Sequence, residues 1–327
     1  MSNLEQAPLE LVCPSNPGSV EVLEPRLVPL GGPRAMTVRR TLPQRQRSLI
    51  GAWCFVDHYG PDDVASTGGM SVPPHPHTGL QTVSWLFTGE IEHSDSAGYR
   101  AMVRPGELNL MTAGRGISHS EYSTAATTML HGAQLWVALP AGARFMEPTF
   151  EHYRPAPLTL PGASLSVFLG GLAGEVSPVV THTPLLGAEL MIDAGASVTL
   201  DTDPSFEHGF LVDSGTVTVA GQPLGCAELG YVGPGRSTVL LEAGAAPVRL
   251  LLIGGTPLGE SIVMWWNFVG RTHDDIVAAR NTWQAEIGAA GAPAAVPLFG
   301  LPEYHVDPPL PAPGLPTVTL RPRTNPS

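Results

Sequence analysis

Two short motifs carry the residue types able to do chemistry in this chain, His75-Pro76-His77 and His119-Ser120-Glu121. In a β-strand, side chains two residues apart point to the same face. His75 and His77 therefore aim two imidazoles one way, and His119 and Glu121 aim an imidazole and a carboxylate. Two such pairs on neighbouring strands of a barrel could supply four ligands to one divalent ion. Neutral imidazole with carboxylate suits iron, manganese, nickel, copper or zinc. The lack of a thiolate argues against a structural zinc site. An HxH pair alone recurs by chance, and spacing does not show that the two pairs meet. The Gly-rich turn before the second pair, Gly114-Arg115-Gly116, strengthens the reading.

The elements that must position these residues are short strands. The 327 residues include 37 glycines and 34 prolines, over a fifth of the chain, with 14% charged and 43% hydrophobic residues. That mix favours many strands joined by turns and is too apolar for disorder. From Gln81 to His152, apolar stretches alternate with turns such as Ser96-Ala97-Gly98 and Arg104-Pro105-Gly106. A second β block runs from about Leu165 to Ile253. Phe210–Gly221 echoes Leu86–His93, a weak repeat of about 125 residues pointing to two similar barrels in tandem. A capping box, Thr272 with Asp275, starts one helix. The expected organisation is a flexible arm over 1–20, a first barrel over 21–155, a second over 156–288 and a Pro/Ala-rich tail over 289–327, extended on the surface. The Pro-rich stretch 153–163 reads as a linker.

Charge and cysteines exclude some function classes. A net charge of −12 repels nucleic-acid phosphates, so direct nucleic-acid binding is not expected, whereas a protein partner is compatible. Cys13, Cys54 and Cys226 are isolated and odd in number, which fits a reducing compartment. The acidic N-terminus has no export pattern, and the longest apolar runs, such as Val248–Ile253, are too short to span a bilayer. A soluble, cytoplasmic protein is the expectation.

At the candidate ligands the sequence resembles the pirin family of the cupin superfamily. The resemblance rests on Gly51–Pro61 (GAWCFVDHYGP), His75-Pro-His-Thr-Gly79, Gly89-Glu-Ile-Glu-His93 and Met111-Thr-Ala-Gly-Arg-Gly-Ile117 followed by His119-Ser-Glu121. Gln134-Leu-Trp-Val137 and Trp265-Trp-Asn-Phe-Val269 extend it, and it spans about residues 20–310. It implies an all-β fold of two tandem cupin (jelly-roll type) β-barrels with a short C-terminal helix. It also implies one metal, usually iron, in the first barrel, held by His75, His77, His119 and Glu121. Gln81 stands where the family often has glutamate, so at most it supports the ligands from behind.

Aligning Gly215 with Gly89 sets Asp201 and Asp203 over the HPH pair, and Ala245 and Pro247 over His119 and Glu121. No metal is therefore expected in the second barrel, and His208 reads as a packed or surface histidine. Asp57-His58 reads as a turn after a buried strand rather than a site entrance. Glu90, Glu92, His93 and Asp95 read as a solvated face, and Trp85, Trp136, Trp265 and Trp266 as core or inter-barrel packing. Arg115 is expected to brace the turn through backbone carbonyls.

The resemblance implies two functions. One is a quercetin 2,3-dioxygenase acting on a flavonol-like substrate, with Fe(II) bound and Glu121 as both ligand and the catalytic base that takes the 3-hydroxyl proton. The other is a non-enzymatic, iron- and redox-dependent regulator that binds transcription factors or metabolic enzymes. A metal-stabilised bicupin with an unrelated substrate is a third reading.

Overall fold

Alternating apolar and polar residues make each strand one-sided, so the sheets bury one face against another. The computed structural model describes residues 19–30, 36–288, 297–323 and 325. They form two jelly-roll barrels, each with a seven-stranded and a four-stranded antiparallel sheet. In the first barrel the large sheet runs Thr149–Tyr153, Leu108–Thr112, Leu80–Thr88, Met129–Ala138, Trp53–Asp63, Met36–Leu42, Arg26–Leu30. Facing it are Ser71–His77, Ile117–Ser123, Ile91–Asp95 and Arg100–Val103. The second barrel repeats this plan, with Ser197–Asp201, Thr238–Ala243, Val217–Val219 and Gln222–Leu224 as its small sheet.

The two large sheets pack back to back. One buried cluster joins Trp53, Val83, Trp85 and Leu135 of the first barrel to Phe168, Leu211, Leu251 and Ile253 of the second. Trp85 stacks on Phe168 with ring centroids 4.5 Å apart, as its assignment to packing anticipates. A Cβ on Gly51 would stand 2.8 Å from the Gly255 backbone, so this close approach demands glycine. A polar network crosses the same interface. Asp213 of the second barrel accepts from His58 Nε2 at 2.7 Å and lies 2.5 Å from His131 Nε2.

Several expectations change at the boundaries. Glu21–Leu23 adds an edge strand to the second barrel, pairing with Leu229–Tyr231. Within the Pro-rich 153–163 stretch, Leu158–Leu160 is a paired strand of the second barrel. Asp57 and His58 lie within the strand Trp53–Asp63, both buried, so no turn occurs there. The helix His273–Glu286 has both reciprocal capping-box bonds. Beyond it, Phe299 and Ala312 enter a buried cluster with Trp283, and Asn325 accepts from the Ser48 and Leu49 N–H groups. This part of the tail is held to the rest of the chain by these contacts. The arm over 1–18 and Cys13 lie outside the described residues.

Candidate metal centre

Register brings the two motifs together. His119 lies opposite His75, and Ile117 opposite His77, in the antiparallel pair between Ser71–His77 and Ile117–Ser123. The three imidazoles point between the sheets with centroids 4.3 to 5.0 Å apart. Ligand atoms of His75, His77 and His119 lie within 4.8 Å of one another, and so do those of His93, His119 and Glu121. All five residues are buried.

The surrounding partners assign the tautomers. His75 Nδ1 lies 2.9 Å from the Pro73 carbonyl and His77 Nδ1 3.1 Å from the Asn267 carbonyl. A carbonyl only accepts, so both Nδ1 atoms carry hydrogen and both Nε2 atoms are bare. For His119 the same result comes through a chain. Asp95 Oδ2 accepts from His93 Nε2 at 3.1 Å, which leaves His93 Nδ1, in the neutral ring, to accept from His119 Nδ1 at 3.3 Å. Three bare Nε2 atoms thus converge. Asp95 is itself held in place by the Ala97 and Tyr99 N–H groups, both bound to Oδ1.

His93 and Asp95 were expected on a solvated face. They are buried, and only Glu90 and Glu92 face outward, paired with half-exposed Arg104 and Arg100. Such solvent-screened surface pairs add little to stability. The overlooked signal was parity: Ile91, His93 and Asp95 share a face, and the apolar Ile91 marks it as the inner one.

Burial sets the electrostatics. It lowers His75 to about 4 and holds His77 and His119 well below the usual imidazole range. Burial also raises the Glu121 carboxyl. The Tyr59 phenol is pushed far up by burial and then by the Glu121 charge, and its buried hydroxyl has no partner among the described residues. A proton is therefore disfavoured at the three imidazoles, although bare His77 and His119 Nε2 atoms lie only 3.0 Å apart. Facing lone pairs at that distance repel unless a cation lies between them. Two nitrogens each about 2.1 Å from one ion and at right angles would stand about 3.0 Å apart. The donor set fits a metal ion.

The four motif residues line a cavity of about 400 Å³ whose walls include Phe55, Trp136, Trp266 and Asn267. Trp136 and Trp266, expected to serve packing, also wall the cavity. Trp136 belongs to a buried cluster with Leu80 and Met111, stacks on Phe55 at 4.0 Å and sets its ring against His77. Trp266 and Asn267 form the turn of a hairpin that follows the second barrel, Val263–Trp265 with Phe268–Gly270. The hairpin docks on the first barrel, where Val269 N–H donates to the Thr78 carbonyl at 3.0 Å. Trp266 holds a φ of 52° there, a conformation that costs a non-glycine residue roughly 1–2 kcal/mol. It presents its indole to the cavity. Gln81 donates to Thr112 Oγ1 at 2.9 Å and is not among the cavity-lining residues. Arg115 pairs with the exposed Glu147 carboxylate instead of backbone carbonyls.

Strand register corrects the alignment of the two barrels. His75, His119 and Glu121 correspond to Leu200, Val239 and Leu241. All three are buried in the second barrel's core, whereas Asp201, Asp203, Ala245 and Pro247 are exposed. Burying such aliphatic side chains contributes roughly 1.5–3 kcal/mol each. His208 is buried and packed, with neither ring nitrogen hydrogen-bonded among the described residues.

Two tandem jelly-roll barrels, with a histidine and glutamate centre inside one of them, define a bicupin of the metal-binding kind. Residues 35–137 match the pirin family and residues 187–287 match the pirin C-terminal cupin domain. A Pseudomonas aeruginosa protein named "Putative quercetin 2,3-dioxygenase" is 43% identical over 260 residues, covering 79% of this chain and 82% of its own. Human pirin is 31% identical over 272 residues, covering 77% and 92%. A crystal structure of quercetin 2,3-dioxygenase from Acinetobacter baumannii superposes with a TM-score of 0.84 at 38% identity, covering 91% of this chain and 96% of that one. The chain belongs to the pirin family. Among the described residues, no helix is long and apolar enough to cross a membrane.

Proposed function

We propose that the protein is an iron-dependent dioxygenase of the quercetin 2,3-dioxygenase type, acting on flavonol-like substrates. The observation that carries this reading is the placement of His75, His77, His119 and Glu121 on the wall of an aromatic-lined cavity of about 400 Å³. That volume falls in the range of small-molecule sites, roughly 300–1,000 Å³. The names of the relatives in Pseudomonas and Acinetobacter support the same substrate class.

The four residues would hold one divalent ion, which when bound supplies a Lewis acid and a site for dioxygen chemistry. The chain's own residues do the rest. Phe55, Trp136 and Trp266 give flat apolar walls for a planar ring system and exclude water. Glu121, whose burial raises its proton affinity, is placed to accept the proton of the flavonol 3-hydroxyl. Asp95 and His93 keep His119 in the tautomer that leaves Nε2 bare.

The test is direct. Protein reconstituted separately with iron, manganese, nickel, copper and zinc is supplied with quercetin and oxygen. Consumption of both, with release of carbon monoxide, is expected for the iron form. Lack of turnover with all five metals would remove this reading.

A further inference from the structure

We propose that Arg40 is an anion-recognising residue of the cavity, so that its ligands are planar aromatic molecules bearing an ionised carboxylate or phenolate. The proposal rests on the reading of this cavity as the ligand site but not on turnover there.

Arg40 is the one permanently cationic side chain among the described residues lining the cavity. Its guanidinium is fixed on two sides. Nε and Nη2 donate to the Asp57 carboxylate at 2.6 and 2.8 Å, and Cζ lies over the Phe55 ring, 4.2 Å from its centroid. Phe55 is in turn stacked on Trp136. Nη1 has no protein partner among the described residues, and the side chain keeps 22% of its exposure. Asp57 has none. Burial pushes its carboxyl up, against the hydrogen bond and charge of Arg40.

A buried ion pair of this kind adds little to stability over apolar packing. What it does provide is a preorganised fork. Paired with Asp57, the guanidinium offers directed N–H donors more than net charge, and a planar carboxylate or phenolate is the acceptor that matches them. The neighbouring Arg39 cannot substitute, because strand alternation turns it toward His58 and the Gly60 carbonyl.

The experiment compares 2-naphthoate with its neutral isostere 2-naphthamide, using calorimetry and quenching of tryptophan fluorescence. It uses full-length protein as isolated, with metal content measured in parallel. Arg40→Gln alone strands the buried Asp57 charge and risks unfolding, so the informative variant is Arg40→Gln with Asp57→Asn. Wild type should bind the acid about tenfold more tightly than the amide. The double variant should bind both equally and keep its metal. Equal affinities in wild type, or no binding of the acid, would overturn the proposal. So would a preference that survives in the double variant, which would seat the carboxylate on the ion instead. If the preference holds but quercetin is never turned over, the dioxygenase reading fails and this one stands.

Discussion

Asp95→Asn exposes how the centre is held together. In the native protein, Asp95 Oδ1 accepts from two backbone N–H groups at 2.9 and 3.1 Å, and Oδ2 accepts from His93 Nε2 at 3.1 Å. The site therefore presents three donors to one carboxylate. An asparagine has a single acceptor atom. If its oxygen keeps the backbone N–H groups, its NH₂ faces His93 Nε2, which must give up its hydrogen. His93 then protonates at Nδ1 and faces His119 Nδ1 as a donor, so His119 moves its own hydrogen to Nε2, the atom meant for the ion. The other amide orientation sets the NH₂ against two backbone donors. The second orientation leaves two buried backbone donors unsatisfied, at a cost of about 1–3 kcal/mol each, so the first is favoured and puts the His119 hydrogen where the ion must bind. Loss of an outer partner of a ligating histidine typically lowers metal affinity about 10–100-fold. Chelator competition measures that affinity, and nitrogen-detected NMR of the histidine rings reports the His119 tautomer. Wild-type affinity together with an unchanged His119 tautomer would refute the proton chain from Asp95 to the ion.

Other outcomes follow from the same geometry. His119→Ala should lose most bound metal while His208→Ala keeps it, as measured by elemental analysis; metal retained in the first variant would mean the site is misassigned. Gly79 has a φ of +69°, and a Cβ there would meet the Val269 carbonyl at 2.2 Å. Gly79→Ala should therefore displace the Trp265–Phe268 turn and release His77 from Asn267, read as faster hydrogen exchange at Val269 and weaker metal binding. Metal-free protein should lose stability as pH falls from about 6.5 to 4. His75 and His208 titrate near 4 when folded and near 6.5 when unfolded, so the unfolded state binds more protons across that window, worth up to about 3 kcal/mol for each. The raised Glu121 carboxyl works the other way above about 4.5 and offsets part of the fall. A denaturant midpoint that does not move between pH 7 and 5 would contradict the burial of these rings.

The chemistry of the centre was legible in the sequence because β-structure has a fixed parity. His75 with His77, and His119 with Glu121, had to share faces once they lay on strands. The same parity would have placed His93 and Asp95 inside with Ile91, but the charges of Glu90 and Glu92 beside them obscured it. The repeat was legible as two barrels, yet its alignment was not. The offset between them falls from 125 at His75 and Leu200 to 120 at Glu121 and Leu241, because the connecting loops differ in length. Asp57-His58 appeared as a turn because two polar residues interrupt an apolar run. In fact each finds a partner on another strand, Asp57 the half-buried Arg40 and His58 the buried Asp213.

Local sequence by itself determined the strands, the capped helix and the facing of the ligand pairs, since these depend on neighbours a few residues apart. Tertiary structure alone decided that the two pairs meet, that Asn267 reaches back 190 residues to bond His77, and that Trp266 walls the cavity. Those contacts arise from strand register and the docking of a distant hairpin. Both depend on which surfaces are buried together, and no short stretch of sequence encodes that.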